Sequence, residues 1–307
     1  MKEGHPMNTN ASLFSRSITA VAVFFSAVGV ALRTILMAGY YDGAEGFYTN
    51  EILHSVFSYL LVAMAIVIFA AAYIYIKEEK NPFSLPNNRA VSAVSAVAAC
   101  VFGGFIIYSF GKLILSRYSG GLLTSPGKAA IIMSLFCVVA LLFFVSGKSK
   151  MGDVRALLCS GNALVLLILV FGLYFDPVIS YVNHSVVLCY ATSIFLMLAT
   201  VAEANSYLSR PWLRRYLAFA PTAVVLSFAL SIPDFIYAAL NLSAPLYDIY
   251  YDFIIFALGL YHLVNLIAIS MVKPADDEVN ADKKESKKKN AKEITKEEEK
   301  NEEAAGN

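Results

Sequence analysis

Long uncharged apolar runs, separated by short polar stretches, dominate the chain. A helix that crosses the hydrocarbon layer of roughly 30 Å needs about 20 mostly apolar residues. A lipid-facing barrel would instead show alternating segments of about ten residues. The pattern therefore predicts an all-α, polytopic membrane helix bundle with about eight transmembrane helices in four hairpins. The predicted spans are 16–39, 52–76, 89–111, 129–147, 152–174, 181–205, 216–240 and 247–272.

The same pattern divides the chain into three parts: an N-terminal segment at 1–15, the transmembrane domain at 16–272 and a tail at 273–307. The tail consists almost entirely of Asp, Glu, Lys, Asn and Ala, so it buries no apolar surface, and we expect it to be disordered. We interpret it as a solvating segment or as a docking site for a protein partner.

The distribution of Lys and Arg indicates the orientation of the spans. Basic residues concentrate near the connections that follow even-numbered spans, whereas the connections after spans one, five and seven contain none. An excess of Lys and Arg marks the cytoplasmic side. We therefore expect both termini to be cytoplasmic and the odd-to-even connections to lie outside. The connection after span three is an exception, with Lys112, Arg117 and Lys128.

Composition excludes several classes of protein. The chain has 307 residues, of which 58% are apolar and 15% charged, and its mean hydropathy is +0.62. A soluble domain carries about 45–50% apolar and about 25% charged residues. These values exclude a soluble enzyme with a membrane anchor, a nucleic-acid-binding domain and a secreted disulfide scaffold. The first predicted partner is therefore the lipid bilayer.

Ionisable residues inside the predicted spans concentrate towards the outer side. Such residues are costly in a membrane and by default indicate a functional site. The candidates come from five different spans, so we expect them to surround one polar site that binds a ligand or an ion. The candidate ligand- or ion-binding residues are Arg33, His54, His184, Asp234, Asp248 and Asp252.

A buried cation in this group needs a partner. Ser26, Arg33 and Tyr40 repeat every seven residues along one stripe of span one. An unpaired charge at the bilayer centre costs roughly 2.5–3.5 kcal/mol. We therefore predict that Arg33 pairs with Asp234 or Asp252, either as part of a ligand site or as a structural ion pair.

Span seven contains Pro233, which cannot donate to the carbonyl of Ala229 and tends to kink or break a helix. Ser231 and Asp234 also fit the ends of a capping box. One interpretation is that span seven is discontinuous, with a second half-helix starting near residue 232. The alternative is a packing kink in which Asp234 caps its own half-helix.

Polar residues nearer the inner side fit structural roles. We expect Glu203 to meet Arg210, Arg214 or Arg215 at the cytoplasmic interface. The chain lacks the spacings typical of haem ligation, of an intramembrane metalloprotease and of an ATP-binding loop. The sequence therefore predicts no enzyme, no catalytic residue, no metal site and no cofactor.

One short segment carries a resemblance to a known family. Residues 32–37 read LRTILM and residues 42–48 read DGAEGFY. Together they resemble the opening hairpin of uncharacterised multi-pass bacterial membrane proteins. The resemblance implies a bacterial cytoplasmic membrane and implies no activity.

Two functions are consistent with these features. One is a transporter or permease-like component for a small polar solute or ion with an outward-facing polar site, in which Arg33 orients the site and Asp234 and Asp252 contact a cation or proton. The other is a non-catalytic membrane sensor or scaffold that acts through a partner bound by the charged tail. A cavity between spans one, seven and eight favours transport, whereas a dry, fully paired cluster favours a structural role.

Overall fold

The structure is a computed structural model. The residues that it describes are 9–42, 47–76, 88–118, 125–146, 152–175, 183–208, 210–240 and 249–272. Asp248 and the charged tail, both singled out by the sequence, lie outside the described residues.

Eight α-helices account for almost all of the described residues, as predicted. Seven are long and apolar enough to cross a membrane, whereas in α4 the apolar part is the shorter stretch Ile131–Val145. The helices are α1 (Thr9–Tyr40), α2 (Glu51–Tyr75), α3 (Arg89–Tyr118), α4 (Ser125–Val145), α5 (Gly152–Tyr174), α6 (His184–Tyr207), α7 (Leu213–Ala239) and α8 (Ile249–Ser270).

Several helix ends differ from the predicted spans. Helix α1 begins at Thr9 and α3 continues to Tyr118, because hydropathy marks the membrane-embedded part of a helix and not its hydrogen-bonded end. Asn183 fixes the start of α6 at His184, since its side chain accepts a hydrogen bond from the backbone N–H of Ser185 at 2.9 Å. This N-cap satisfies one of the donors that a helix start leaves open.

Helix α7 lies at the centre of the bundle. In its most apolar window 89% of the residues are buried, compared with 28% in α2 and 22% in α3. It packs against α1, α2, α6 and α8, while α3, α4, α5 and α6 pack in sequence around one side and α3 also contacts α8. Polar groups on α7 are therefore shielded from lipid by four neighbouring helices.

Helix α7 is one continuous helix, so of the two interpretations of span seven the break near residue 232 is wrong. Pro233 lies inside it and cannot donate to the carbonyl of Ala229. That carbonyl instead accepts a hydrogen bond from Nη1 of Arg33 on α1 at 3.1 Å. A side chain from a neighbouring helix thus replaces the missing N–H, and the helix continues through the proline in a dry environment.

A short hairpin, which the sequence did not predict, connects α1 and α2. Strands β1 (Tyr41–Asp42) and β2 (Phe47–Tyr48) are antiparallel, with Tyr41 opposite Tyr48. The hairpin positions the Tyr48 ring inside the bundle, where 5% of the residue is exposed. Burial raises the pKa of Tyr41 to about 12, so its hydroxyl remains neutral at physiological pH.

The outer surface of the bundle is apolar. Large side chains such as Ile52 and Ile74 on α2 and Ile107 on α3 are 80%, 74% and 76% exposed. A monomeric soluble protein rarely exposes a large contiguous apolar patch. The described surface is therefore compatible with a multi-pass membrane protein.

Gly259 allows α8 to approach α7 closely, and Gly259→Ala is expected to lower the free energy of unfolding by about 1–3 kcal/mol. A Cβ at this position would lie 2.5 Å from Cβ of Ser227, so the two helices must move apart. Gly103→Ala is the matched control because nothing lies within 4 Å of its Cβ position. Denaturant titration in micelles measures both, and equal effects would contradict the close packing.

Candidate functional site

Arg33 and Asp234 form a buried ion pair at the centre of the candidate site. Nη2 of Arg33 lies 2.8 Å from Oδ1 of Asp234, and 0% of the arginine and 3% of the aspartate side chain are exposed. The predicted pairing of Arg33 with Asp234 is confirmed. We call these two residues, with Tyr48, Ser185 and Asp252, the Arg33 cluster.

The guanidinium of Arg33 also donates to neutral acceptors. Nη1 donates to the carbonyls of Ala229 and Leu230 on α7. Nε lies 3.3 Å from the Tyr48 hydroxyl, and Nη2 lies 3.4 Å from Oγ of Ser185. All three guanidinium nitrogens thus have partners within the protein, as a fully desolvated arginine requires.

Gly29 brings the arginine within reach of α7. A Cβ at Gly29 would lie 3.1 Å from Cβ of Ala229, so a larger residue would require α1 and α7 to separate by a few tenths of an ångström. Arg33 follows Gly29 by one helical turn and therefore points along the same face. Ser26 and Arg33 of the predicted stripe on span one thus face the centre of the bundle, whereas Tyr40, at the end of the stripe, is 40% exposed.

Asp252 on α8 belongs to the same region. Its side chain is fully buried. Asp252, Asp234 and Arg33 all lie within electrostatic range of the Cys189 thiol on α6, so Asp252 lies at the same end of the bundle as the ion pair. The structure therefore brings together three of the six predicted site residues, while Asp248 lies outside the described part of the chain.

The two predicted histidines form a separate pair next to the Arg33 cluster. The rings of His54 and His184 stack with centroids 3.7 Å apart. Tyr48 stacks on both, with centroids 5.3 Å from His54 and 5.5 Å from His184. Tyr48 is thus the link between the histidine pair and Arg33.

A cavity of about 230 Å³ adjoins the histidine pair. Its walls come from α2 and α6, and Leu226 of α7 forms part of its floor. From the sequence, the cavity expected of a transporter lies between spans one, seven and eight. The described cavity lies on another flank of the bundle.

Sequence reasoning missed a second buried network, in which Glu203 is the central acceptor. Its side chain is fully buried, and Oε1 accepts hydrogen bonds from the hydroxyls of Tyr261 at 2.5 Å and Tyr207 at 2.9 Å. The guanidinium of Arg155 on α5 lies over the Tyr207 ring and adds a favourable charge. The carboxylate points into the bundle, whereas the sequence placed it at the interface beside Arg210, Arg214 or Arg215.

His262 on α8 extends this network towards α7. Its Nδ1 lies 3.1 Å from the Tyr216 hydroxyl and 4.0 Å from Oε2 of Glu203. Its Nε2 lies 3.3 Å from Oγ1 of Thr200. We call Glu203, Tyr207, Tyr216, Tyr261 and His262 the Glu203 cluster. The helical spacing of Thr200, Glu203 and Tyr207 was the available sequence signal, but it does not identify partners on other helices.

The two clusters lie near opposite ends of α6 and α7, whereas on α8 Asp252 lies in the first turn and Tyr261 and His262 lie near the middle. Tyr216 and Asp234 are about 27 Å apart along α7 at the helical rise of about 1.5 Å per residue. Fully buried Ser193 on α6 and Ser227 and Ser231 on α7 occupy depths between them. The arrangement provides titratable groups at both ends and small hydroxyls between, all shielded from lipid.

Within the described residues, no group of three or more His, Cys, Asp or Glu side chains is placed to hold a metal ion. No family model, curated protein or solved structure matches the chain. The function must therefore be inferred from the two clusters and the cavity.

Proposed function

We propose that this protein is a transporter or permease-like component for a small polar solute or cation. The observation that carries the proposal is the pair of buried ionisable clusters near opposite ends of α6 and α7. Charged side chains inside a membrane are costly, and those kept there commonly mark ion or substrate pathways. Asp234 and Asp252 at one end and Glu203 at the other would exchange a cation or proton with the two sides.

The distribution of basic residues supports an orientation for this pathway. With both termini in the cytoplasm, the Arg33 cluster faces outside and the Glu203 cluster faces inside. We propose that the membrane is a bacterial cytoplasmic membrane, as the resemblance of residues 32–48 implies. Neither cluster needs a cofactor for this role.

Ligand-dependent stabilisation tests the proposal directly. The unfolding temperature of the purified protein is measured in the presence of each member of a panel of inorganic cations, amino acids, sugars and organic acids. The same measurements are made on Asp252→Asn and on the exposed control Asp153→Asn. A ligand at 100 times its Kd stabilises by about 2.7 kcal/mol. We expect one class of compound to stabilise the wild type and the control but not Asp252→Asn. Uptake of that compound into proteoliposomes then establishes transport, and stabilisation without uptake would contradict it.

A second candidate is the non-transporting sensor or scaffold. The observation that favours it is the saturated guanidinium of Arg33, which has protein acceptors for all three nitrogens. In that case deletion of residues 276–307 should abolish the function that depends on the partner of the tail. Asp234→Asn should lower the stability of the protein and leave that function unchanged. A transporter should tolerate the deletion and lose uptake in Asp234→Asn.

A further inference from the structure

The cavity beside the histidine pair has the shape of a groove in the flank of the bundle. Its walls are apolar side chains of α2 and α6, such as Phe57, Leu61, Leu188 and Phe195. Val62 on one wall and Val187 on the other are 56% and 49% exposed, so the groove opens sideways towards the surrounding lipid. A molecule dissolved in the bilayer can therefore enter it without passing through water.

The polar groups of the groove lie at one end only. Tyr48, His54, Ser58 and His184 line that end, and the remaining lining is apolar. Ser58 Oγ lies 3.4 Å from Nε2 of His54, so the ring is oriented by its own helix. A lining that is polar at one end and apolar along the rest fits an amphiphile and not a small polar solute.

The length of the groove restricts the occupant further. Its walls extend from His54 to Ala65 on α2 and from His184 to Phe195 on α6. Each wall is about 16 Å long at the helical rise of about 1.5 Å per residue. This is about half of the hydrocarbon layer of roughly 30 Å, the depth of one leaflet. One hydrocarbon chain, held parallel to the lipids of that leaflet, matches this length.

The chemistry at the polar end favours an anionic head group. Two imidazoles whose centroids lie 3.7 Å apart repel each other when both are protonated, and an anion beside them removes that penalty. The ring nitrogens are also hydrogen-bond donors suited to a carboxylate. The carboxylate of Asp234 is directed at Arg33 and not at this pair.

From this geometry we propose that the groove binds a long-chain fatty acid, with its carboxylate at His54 and His184 and its chain along α2 and α6. The site lies outside the buried pathway proposed for transport. Tyr48, which stacks on both histidines and accepts from Arg33, is the contact through which an occupant would act on the Arg33 cluster.

Binding of radiolabelled palmitate to the protein in phosphatidylcholine nanodiscs tests this assignment, with empty nanodiscs subtracted. Ala191→Phe and Ala65→Phe fill the groove and should each weaken binding at least about tenfold by removing space for the chain. Ala63→Phe places the same ring on an exposed position of α2 outside the groove and should leave the affinity unchanged. Equal binding by all four proteins would overturn the proposal.

The head group and the chain are tested separately. His54→Asn with His184→Asn should weaken palmitate about tenfold but leave hexadecanol, which carries no charge, unchanged. When the affinity is expressed against the free concentration of fatty acid in water, shortening the fatty acid should weaken binding about fourfold for each methylene lost from the groove. An affinity independent of chain length, or an equal loss for acid and alcohol, contradicts the assignment. Each variant must unfold at the same temperature as the wild type before its affinity is compared. If the double asparagine variant unfolds at a different temperature, His54→Gln with His184→Gln replaces it.

Discussion

Arg33→Met is expected to lower the free energy of unfolding by about 3–5 kcal/mol, because it leaves the carboxylate of Asp234 buried without its cation. Asp234 is 3% exposed and its Oδ1 lies 2.8 Å from Arg33, so solvent cannot replace the lost partner. Denaturant titration of the protein in mixed micelles measures the change.

A double variant separates the ion pair from the packing of the arginine stem. Arg33→Met with Asp234→Leu removes both charges and should recover most of the lost stability. Lys112→Met is the matched control, since this exposed lysine lies over the Tyr108 ring at 4.4 Å and its loss should cost less than about 1 kcal/mol. If Arg33→Met costs no more than the control, the buried pair contributes nothing to stability.

A proline variant isolates the hydrogen bonds that Arg33 donates to α7. Pro233→Ala restores a backbone N–H for the carbonyl of Ala229, which otherwise depends on Nη1 of Arg33. In that background Arg33→Met should therefore cost about 0.5–1.5 kcal/mol less than in the wild type. Identical costs in both backgrounds would mean that the ion pair alone explains the effect.

The ion pair was predictable from the sequence because few ionisable residues occur inside the spans. A buried arginine has to pair with one of the acids at its depth, and Asp234 was one of two candidates. The continuity of α7 was not predictable. The sequence shows that Pro233 cannot donate a hydrogen bond to the carbonyl of Ala229. It does not show that Arg33, which is remote in sequence and adjacent only after folding, donates to that carbonyl instead.

The Glu203 cluster shows the same limit at the other end of the bundle. Charge patterning associates Glu203 with the nearest arginines in the sequence. In the structure its donors include Tyr261, on a helix that becomes a neighbour only in the folded bundle. The depth of His54 and His184 was likewise predictable, whereas their stacking depends on how α2 and α6 pack around α7.

The two clusters differ in what they can do. Arg33 is held by acceptors on several elements, so its charge is fixed in place. Glu203 has a titratable partner at 4.0 Å in His262, and that imidazole contacts two hydroxyls. A proton that enters or leaves the Glu203 cluster changes the charge of a fully buried site. We therefore assign proton exchange to Glu203 and positioning of α1 against α7 to Arg33 as part of the proposed function.

Glu203→Leu and Glu203→Gln should differ strongly in stability. Leucine leaves the hydroxyls of Tyr207 and Tyr261 without the carboxylate acceptor, at about 1–3 kcal/mol for each buried group, so a loss of about 2–6 kcal/mol is expected. Glutamine keeps an oxygen that accepts from both hydroxyls and should cost less than about 1 kcal/mol. Adding Tyr207→Phe and Tyr261→Phe to Glu203→Leu should recover stability, because no unsatisfied hydroxyl remains.

The glutamine variant also separates structure from proton exchange. It preserves the hydrogen bonds of Glu203 but cannot titrate. With folding intact, proteoliposomes that contain Glu203→Gln should show at least a tenfold loss of proton-coupled uptake, measured with a trapped pH-sensitive dye. A loss of stability as large as that of Glu203→Leu would mean that the carboxylate acts through its charge, on Arg155 or His262, and not as a hydrogen-bond acceptor. Wild-type uptake by a stable Glu203→Gln would exclude Glu203 as the proton carrier.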